Sequence, residues 1–384
     1  MDSMISRRSF VATLAATAGA GLCSGQAAWS APALSMTDLR GSIDAGAAGL
    51  SPTPGEDQTR QLAELIAQAV RGDQWVFLPP GRYEVSNLTL PDRTRLTGIA
   101  GATEIAYSGG GAFIDATAAN RIELTNIIFN GAGLPLPEDV PALLNLRDVF
   151  DLTIDNCTLK GNAKTALQME RCGGRISNCR ILEIGEYGLY AIDSTGLAVR
   201  DNTVSGCGNG GLLIHRRQKG EDGSIVSGNR ITRTGSTYGG TGQYGNAINL
   251  YRADGVIVSG NHITDSAFTA IRANSSSDIQ IADNQCLRSG ETAIYSEFGF
   301  RQCHRERAAL CDAHRLGTLS AQCRRDRQRR AGSEDRLCRL GRRGCRQRAD
   351  QRQYIRGHGR GRRHRLPLAR CGDAGACRGG RDVR

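Results

Sequence analysis

Val226-Ser227-Gly228-Asn229-Arg230-Ile231 decides the fold, because it returns as Val258-Ser259-Gly260-Asn261-His262-Ile263. The shared pattern is apolar, two variable positions, Asn, one variable position, apolar. Looser copies place Ile127, Cys157, Cys179, Asn202, Asn229, Asn261 and Asn284 in one column, at spacings of 30, 22, 23, 27, 32 and 23 residues. A repeat of roughly 20 to 50 residues marks a solenoid. Strand side chains alternate every two residues, so each coil is read as several short strands joined by turns.

A second column fixes the register. Small-apolar pairs follow each segment: Ala166-Leu167, Gly188-Leu189, Gly211-Leu212, Ala247-Ile248, Ala270-Ile271 and Ala293-Ile294. They open a second strand in each coil. The fold expected is all-β, a right-handed parallel β-helix, with coils stacked about 4.8 Å apart. An inward Asn at a turn can pass amide hydrogen bonds along such a stack and satisfy turn backbone groups. The Asn column is therefore read as a structural ladder first and as catalytic machinery second.

The two parts of the chain differ in composition. Residues 301–384 hold 25 Arg and no Lys against 8 acidic residues, a formal charge of +17, while the whole chain carries +11. Residues 1–300 are thus left with −6, and the basic character belongs to the tail. Seven of the 13 Cys lie in the tail, which has no Asn, Phe, Trp or Met, and the repeat stops abruptly at Phe298-Gly299-Phe300. Out-of-frame translation of a GC-rich gene would give this composition, and a disordered tail would follow. A basic arm for nucleic acid or an anionic surface is the alternative. The acidic balance of the repeat itself predicts no nucleic-acid partner.

At the other end, Ser6-Arg7-Arg8-Ser9-Phe10-Val11 is a twin-arginine motif. An apolar run to about Leu22 and small residues from Ala27 to Ala33 follow it. This predicts an export signal over residues 1–33, cleaved rather than lipidated, and a periplasmic or secreted protein. The run is too short for stable membrane insertion. The remaining organisation expected is an N-terminal cap with the first coils over 34–110, repeats over 111–300 and the tail over 301–384. Cys157 and Cys179 share one column on adjacent coils, which allows either a disulfide or two stacked thiols. No Cys-x-x-Cys pair precedes the tail, and no metal site or cofactor is predicted. A calcium requirement stays open, as does the oligomeric state.

Asp57-Gln58-Thr59 opens a helix with apolar Leu62, Leu65, Ile66 and Ala69, ending at Gly72. Such a helix would cover the open N-terminal end of the stack. The order Asp44-x-Gly46-Ala47, Asp57-x-Thr59, Val76-x-Leu78-Pro79-Pro80-Gly81-x-Tyr83 resembles the start of the pectate-lyase-like superfamily. That group includes polygalacturonases, pectin lyases, alginate epimerases and phage tailspikes. With its twin-arginine signal, the chain resembles the exported bacterial repeat proteins of this superfamily. The resemblance covers about residues 40–300 and implies the fold more sharply than any activity.

Two connections are long, residues 131–141 with three prolines and residues 232–246 with Gly, Tyr238 and Tyr244. Both leave the same strand position and should rise on one side, where long loops on a rigid scaffold usually carry binding. A charged bulge spans residues 216–223. Stacking by register gives one outward column of Asn145, Gln168, Tyr190, Leu213, Asn249, Arg272 and Tyr295. The next is Arg147, Glu170, Ile192, His215, Tyr251, Asn274 and Glu297. Arg171, Asp193, Arg216 and Arg252 lie at the strand ends.

This face suits an acidic polysaccharide, since Tyr rings stack on sugars and Arg pairs with carboxylates. Glu170, Tyr190, Asp193, Arg272, Tyr295 and Glu297 are the candidate binding residues. In β-elimination or epimerisation a base removes the proton next to a uronate carboxylate and a cation stabilises the enolate. His215 or Tyr251 is the candidate base, with Arg216, Arg252 or Arg272 as the neutralising cation. In hydrolysis two carboxylates flank the bond, and Glu170 and Asp193 lie on neighbouring coils where they can approach each other. The competing readings are a solvated charge ladder for the carboxylates and a loop-edge residue for His215. Glu186-Tyr187 and Asn209-Gly210 stand where a polygalacturonase places Asp, and Asp-Pro-His-Asp is absent, as is Gly-His-Gly. Gly206-Cys207-Gly208-Asn209-Gly210-Gly211 reads as a turn between coils, not a nucleotide loop. A non-catalytic envelope or adhesion protein is the rival reading of the whole chain.

Overall fold

The computed structural model describes residues 41–52, 55–239, 242–299 and, for the backbone, 303–305. The expected export signal, and all but three residues of the expected tail, lie outside the described residues. The chain divides into two compact units, Met1–Asp312 and Ala313–Arg384, and every described residue belongs to the first.

Each coil contributes three strands, as in Thr165–Glu170, Gly174–Ser177 and Arg180–Ile184. Every strand pairs in parallel with its counterpart one coil on, so the fold is a parallel β-helix, as expected. Among the described residues, 18 strands form one sheet that wraps two faces and nine form the third. The wrapping arises because long strands such as Ala142–Asp155 run through a corner and pair on both sides of it. The small-apolar pairs stack in the register read from the sequence: Leu144, Leu167, Leu189, Leu212, Ile248, Ile271 and Ile294 are successive partners. The first six of these are fully buried and form one wall of the core.

The corners explain the repeat. One residue before each member of the opening column, the backbone turns left-handed, at Asn126, Asn156, Asn178, Asp201, Gly228, Gly260 and Asp283. Asn, Asp and Gly are the residues that enter this conformation at least cost. The turn aims the next side chain inward. Asn202, Asn229, Asn261 and Asn284 are all buried there. Asn229 Oδ1 accepts from the Asn202 N–H and Nδ2, both at 3.0 Å. Asn229 in turn donates through its N–H and Nδ2 to Asn261 Oδ1 at 3.0 and 2.9 Å, and Nδ2 also reaches Val199 O at 3.0 Å. Both Nδ2 protons and the oxygen are thereby used. Asn261 repeats the arrangement with Asn284. Cys157 and Cys179 continue the column as buried free thiols, each donating Sγ–H to backbone carbonyls. Burial pushes the Cys157 thiol far above its ordinary range.

The N-terminal helix spans Thr59–Arg71 and ends at Gly72. Asp57 Oδ1 accepts the Thr59 N–H at 2.9 Å, which satisfies one of the free donors of the first turn. Leu62, Ile66 and Ala69 are buried against Val76–Phe77, Leu88–Thr89 and Thr94–Thr97, the first coils of the stack. Large aromatic side chains, Tyr83, Tyr107, Phe113 and Phe129, fill the core at this end. Among the described residues no helix is long and apolar enough to cross a membrane.

Replacing Asn229 with Ala would leave two buried donors unpaired, the Asn202 N–H and the Asn202 Nδ2 proton that does not go to Ile176 O. At about 1–3 kcal/mol for each, Asn229→Ala should destabilise the fold by about 2 kcal/mol or more. Gln218→Ala, on the exposed bulge, should change it by less than about 0.5 kcal/mol. Denaturant unfolding of the two variants measures the difference.

Candidate functional site

Outward side chains of the face that includes Thr165–Glu170 stack in the two columns read from the sequence. Tyr190, Leu213, Asn249, Arg272 and Tyr295 are successive partners in the first. Ile192, His215, Tyr251, Asn274 and Glu297 are successive partners in the second. Outward does not mean exposed here: Leu213 is 2 % and Asn249 1 % exposed. The long connection after strand Arg230–Thr234 folds back over them.

Backbone and side-chain hydrogen bonds hold that connection down. Gly235, Thr237 and Gly245 donate backbone N–H groups to carbonyls of Cys207, Gly208 and Asn209 at 2.7–2.8 Å. The Tyr238 N–H reaches Asn209 Oδ1 at 2.8 Å, and the Tyr238 hydroxyl donates to Glu186 Oε1. Asn249 Nδ2 reaches up to Gln243 O at 3.1 Å. Tyr238 and Tyr244 meet edge to face with ring centres 5.6 Å apart.

Between loop and face lies a cleft of about 640 Å³. Its floor carries an aromatic row: Tyr187 to Tyr190 at 5.5 Å, Tyr190 to His215 at 5.1 Å, and His215 to Tyr251 at 5.6 Å between ring centres. Tyr238 and Tyr244 form the roof, and Arg216, Arg217 and Arg272 are its charged lining. No carboxylate lines it among the described residues.

A bulge shapes one rim. The strand Gly210–Glu221 loses register after His215, so that four residues, Arg216 to Lys219, stand opposite Arg252 alone. The slack lets Arg217 lie back across two earlier coils. Its guanidinium bonds Glu170 Oε1 at 2.9 Å and Asp193 Oδ2 at 2.8 Å, and its N–H bonds Asp193 Oδ1 at 2.9 Å. Glu170 also pairs with Arg171, and with Arg147 at 3.4 Å. Burial pushes both carboxyls up, but hydrogen bonds from Arg217 outweigh it, and both are held below their ordinary range. Arg252 lies at the rim, with its guanidinium 4.8 Å over the Tyr251 ring and Nη1 on Arg217 O at 2.6 Å. Arg216 donates to Ser194 O at 3.2 Å, and its Nε is enclosed without a partner.

The structure thus brings His215, Tyr251, Tyr190, Arg216 and Arg272 to one cleft. Glu170 and Asp193 stand behind Arg217. Glu297 pairs with Arg272 and accepts from Asn274 Nδ2 at 2.7 Å. Tyr295, 44 % exposed, continues the first column one coil beyond Arg272 and outside the lining. The residues that sequence reasoning left off its site list are Tyr187, Arg217, Tyr238, Tyr244, Gln243 and Asn249. The Gly- and Tyr-rich connection was the signal for Tyr238, Gln243 and Tyr244, the charged bulge for Arg217, and the outward column for Asn249; Tyr187, at the start of its strand, had none.

Burial, aided by the nearby Arg272 charge, pushes the His215 imidazole down to about 3. Burial likewise raises Tyr187 and Tyr190, while the bond to Glu186 lifts Tyr238 to about 12. At neutral pH the cleft therefore offers hydroxyl donors, a neutral imidazole and fixed guanidinium charge. Among the described residues there is no group of three or more His, Cys, Asp or Glu that could hold a metal ion.

A family model for "Right handed beta helix region" matches residues 97–220 and 165–306, together more than half of the chain. No curated protein sequence matches the chain. Among solved structures, the A-module of the mannuronan C-5 epimerase AlgE6 of Azotobacter vinelandii is 15 % identical. The alignment covers 67 % of this chain and 79 % of that one, with a TM-score of 0.50. The enzymatically active domain of tailspike protein 2 of bacteriophage CBA120 is 13 % identical, over 68 % of this chain and 43 % of that one, with a TM-score of 0.53. ORF18 of Geobacillus virus E2 is 13 % identical, over 68 % and 61 %, with a TM-score of 0.50.

A histidine whose folded-state pKa lies below its unfolded value loses stabilisation as pH falls, because the unfolded chain takes up the proton first. His215 should therefore steepen the loss of stability between pH 6.5 and about 3. His215→Gln should flatten that slope relative to the parent chain in urea unfolding measured at several pH values. An unchanged slope would place the imidazole in solvent.

Proposed function

The chain belongs to the right handed beta helix region family, and we propose that it binds an acidic polysaccharide in the tyrosine-lined cleft and acts on it by proton abstraction. The observation that carries this reading is the lining: aromatic rings above and below, three arginines, and no carboxylate among the described residues. Sugar rings stack on tyrosine faces, and uronate carboxylates pair with guanidinium groups. The expected twin-arginine signal fits a glycan met in the periplasm or outside the cell. The epimerase and tailspike neighbours share the fold, and the epimerase's name, which cites mannuronan, agrees with a glycan ligand.

For chemistry, elimination or epimerisation fits better than hydrolysis. A glycosidase needs one carboxyl protonated at working pH, whereas Arg217 holds both Glu170 and Asp193 ionised. In the proposed step, neutral His215 takes the proton next to the uronate carboxylate, and the electron pair moves into that carboxylate as an enolate. Arg272 or Arg216 stabilises the charge. The enolate then either expels the neighbouring glycosidic oxygen, which leaves as a hydroxyl with the proton carried by the His215 imidazolium, or regains a proton on the opposite ring face. In the second case a tyrosine hydroxyl such as that of Tyr251 gives the proton, which solvent restores as His215 releases its own. A second reading, a binding protein without turnover, is favoured by one fact: an imidazole held at about 3 is a weak base.

Incubation with a panel of acidic glycans in deuterated water tests the reading. Turnover should appear as ultraviolet absorbance from unsaturated ends, or as deuterium incorporated next to the carboxylate. His215→Ala should lower the rate about a hundredfold or more. Binding without exchange would leave the non-catalytic reading, and an absence of binding would remove the acidic-glycan reading altogether.

A further inference from the structure

We infer that the cleft floor reads a free ring hydroxyl beside the carboxylate it holds, so that its ligand is an acidic polysaccharide with unsubstituted hydroxyls there. The inference rests on the acidic-glycan reading above and adds Asn249 as the residue that sets specificity.

Asn249 is 1 % exposed and lies in the outward column between Leu213 and Arg272. Its Nδ2 donates to Gln243 O at 3.1 Å. A carbonyl only accepts, so this bond fixes which way the amide faces. Asn249 Oδ1 is then left enclosed with no hydrogen-bond partner. One coil back, His215 Nε2 is enclosed and without a partner as well. Both residues line the cleft. Buried polar atoms in folded proteins are nearly always paired, and each exception costs about 1–3 kcal/mol.

The rest of the fold makes these two exceptions stand out. The asparagines of the inner column use every amide group that the next coil can meet. Three other unpaired amide atoms, Gln58 Oε1, Asn209 Nδ2 and Asn246 Oδ1, lie outside the cleft lining, the last two a donor and an acceptor on neighbouring coils. Asn249 Oδ1 is different, since its residue lines the cleft and a molecule filling the cleft can supply the missing donor.

A hydroxyl supplies that donor and suits the histidine too. It gives its proton to Asn249 Oδ1 while its oxygen accepts from the imidazole, or a neighbouring hydroxyl donates to it. Arg272 stands one coil further along the same column, about 4.8 Å on, within the span of one pyranose ring. A carboxylate on Arg272 and a hydroxyl on Asn249 then belong to one sugar unit. An O-acetyl group at that hydroxyl would remove the donor and bring an ester oxygen against Asn249 Oδ1, acceptor against acceptor.

Calorimetric titration of the full chain with oligouronates of one length, unmodified or chemically O-acetylated, tests this without altering the protein. Acetylation should weaken binding about tenfold or more. In Asn249→Leu the unmodified ligand should fall to the affinity of the acetylated one, which itself should change little. Equal binding of both ligands by the parent chain would overturn the hydroxyl reading and leave the acidic-glycan reading standing. Discrimination retained in Asn249→Leu would also overturn it. If neither ligand binds the parent chain, the acidic-glycan reading itself fails.

Discussion

The amide ladder through Asn202, Asn229, Asn261 and Asn284 is the constraint on which the rest of the structure depends. A parallel stack has no turn of its own to fix register between coils, and a slip by one residue would reverse every side chain. Asn202, Asn229 and Asn261 prevent this, because each amide meets both the coil before and the coil after at hydrogen-bond distance. Burial makes the constraint costly to break, since an unpaired amide in the core has no water to turn to. The left-handed residue before each asparagine completes the device by turning the chain at the same point in every coil.

A fixed register on the inner column fixes the outer faces too. Leucine and isoleucine stack inward, and the alternate positions must then align outward, so Tyr190, His215, Tyr251 and Arg272 gather on one face although 82 residues separate the first from the last. Two insertions at the corners of the coil turn that face into a cleft. The connection bearing Tyr238 and Tyr244 roofs it, and the bulge bearing Arg217 closes one rim. Function, on this view, is carried by what interrupts the repeat, and the repeat supplies the rigid frame.

Legibility in the sequence follows the same division. The inner column and the small-apolar pairs were readable because stacking imposes one chemistry on a whole column, and spacing alone then gives the partners. The cap helix was readable from its apolar period and from Gly72. Burial of Leu213 and Asn249 was not readable, because it comes from a connection whose path is set by contacts with Asn209 and Glu186, remote in the chain. Arg217 was equally hidden: its reach to Glu170, 47 residues away, depends on slack that only the register break reveals. The two carboxylates look like a hydrolytic pair from their spacing. Only the guanidinium between them shows how each is held.

The central claim is that this register gathers a face which binds an acidic glycan at His215. Nitrogen NMR of the chain labelled at histidine, titrated with a uronic-acid oligosaccharide, tests it most directly. His262 lies outward on the opposite sheet and serves as the internal control. The account predicts that the His215 imidazole signals move in a saturable way while those of His262 stay still. His215 signals unmoved at saturating oligosaccharide, or equal shifts at both histidines, would contradict it.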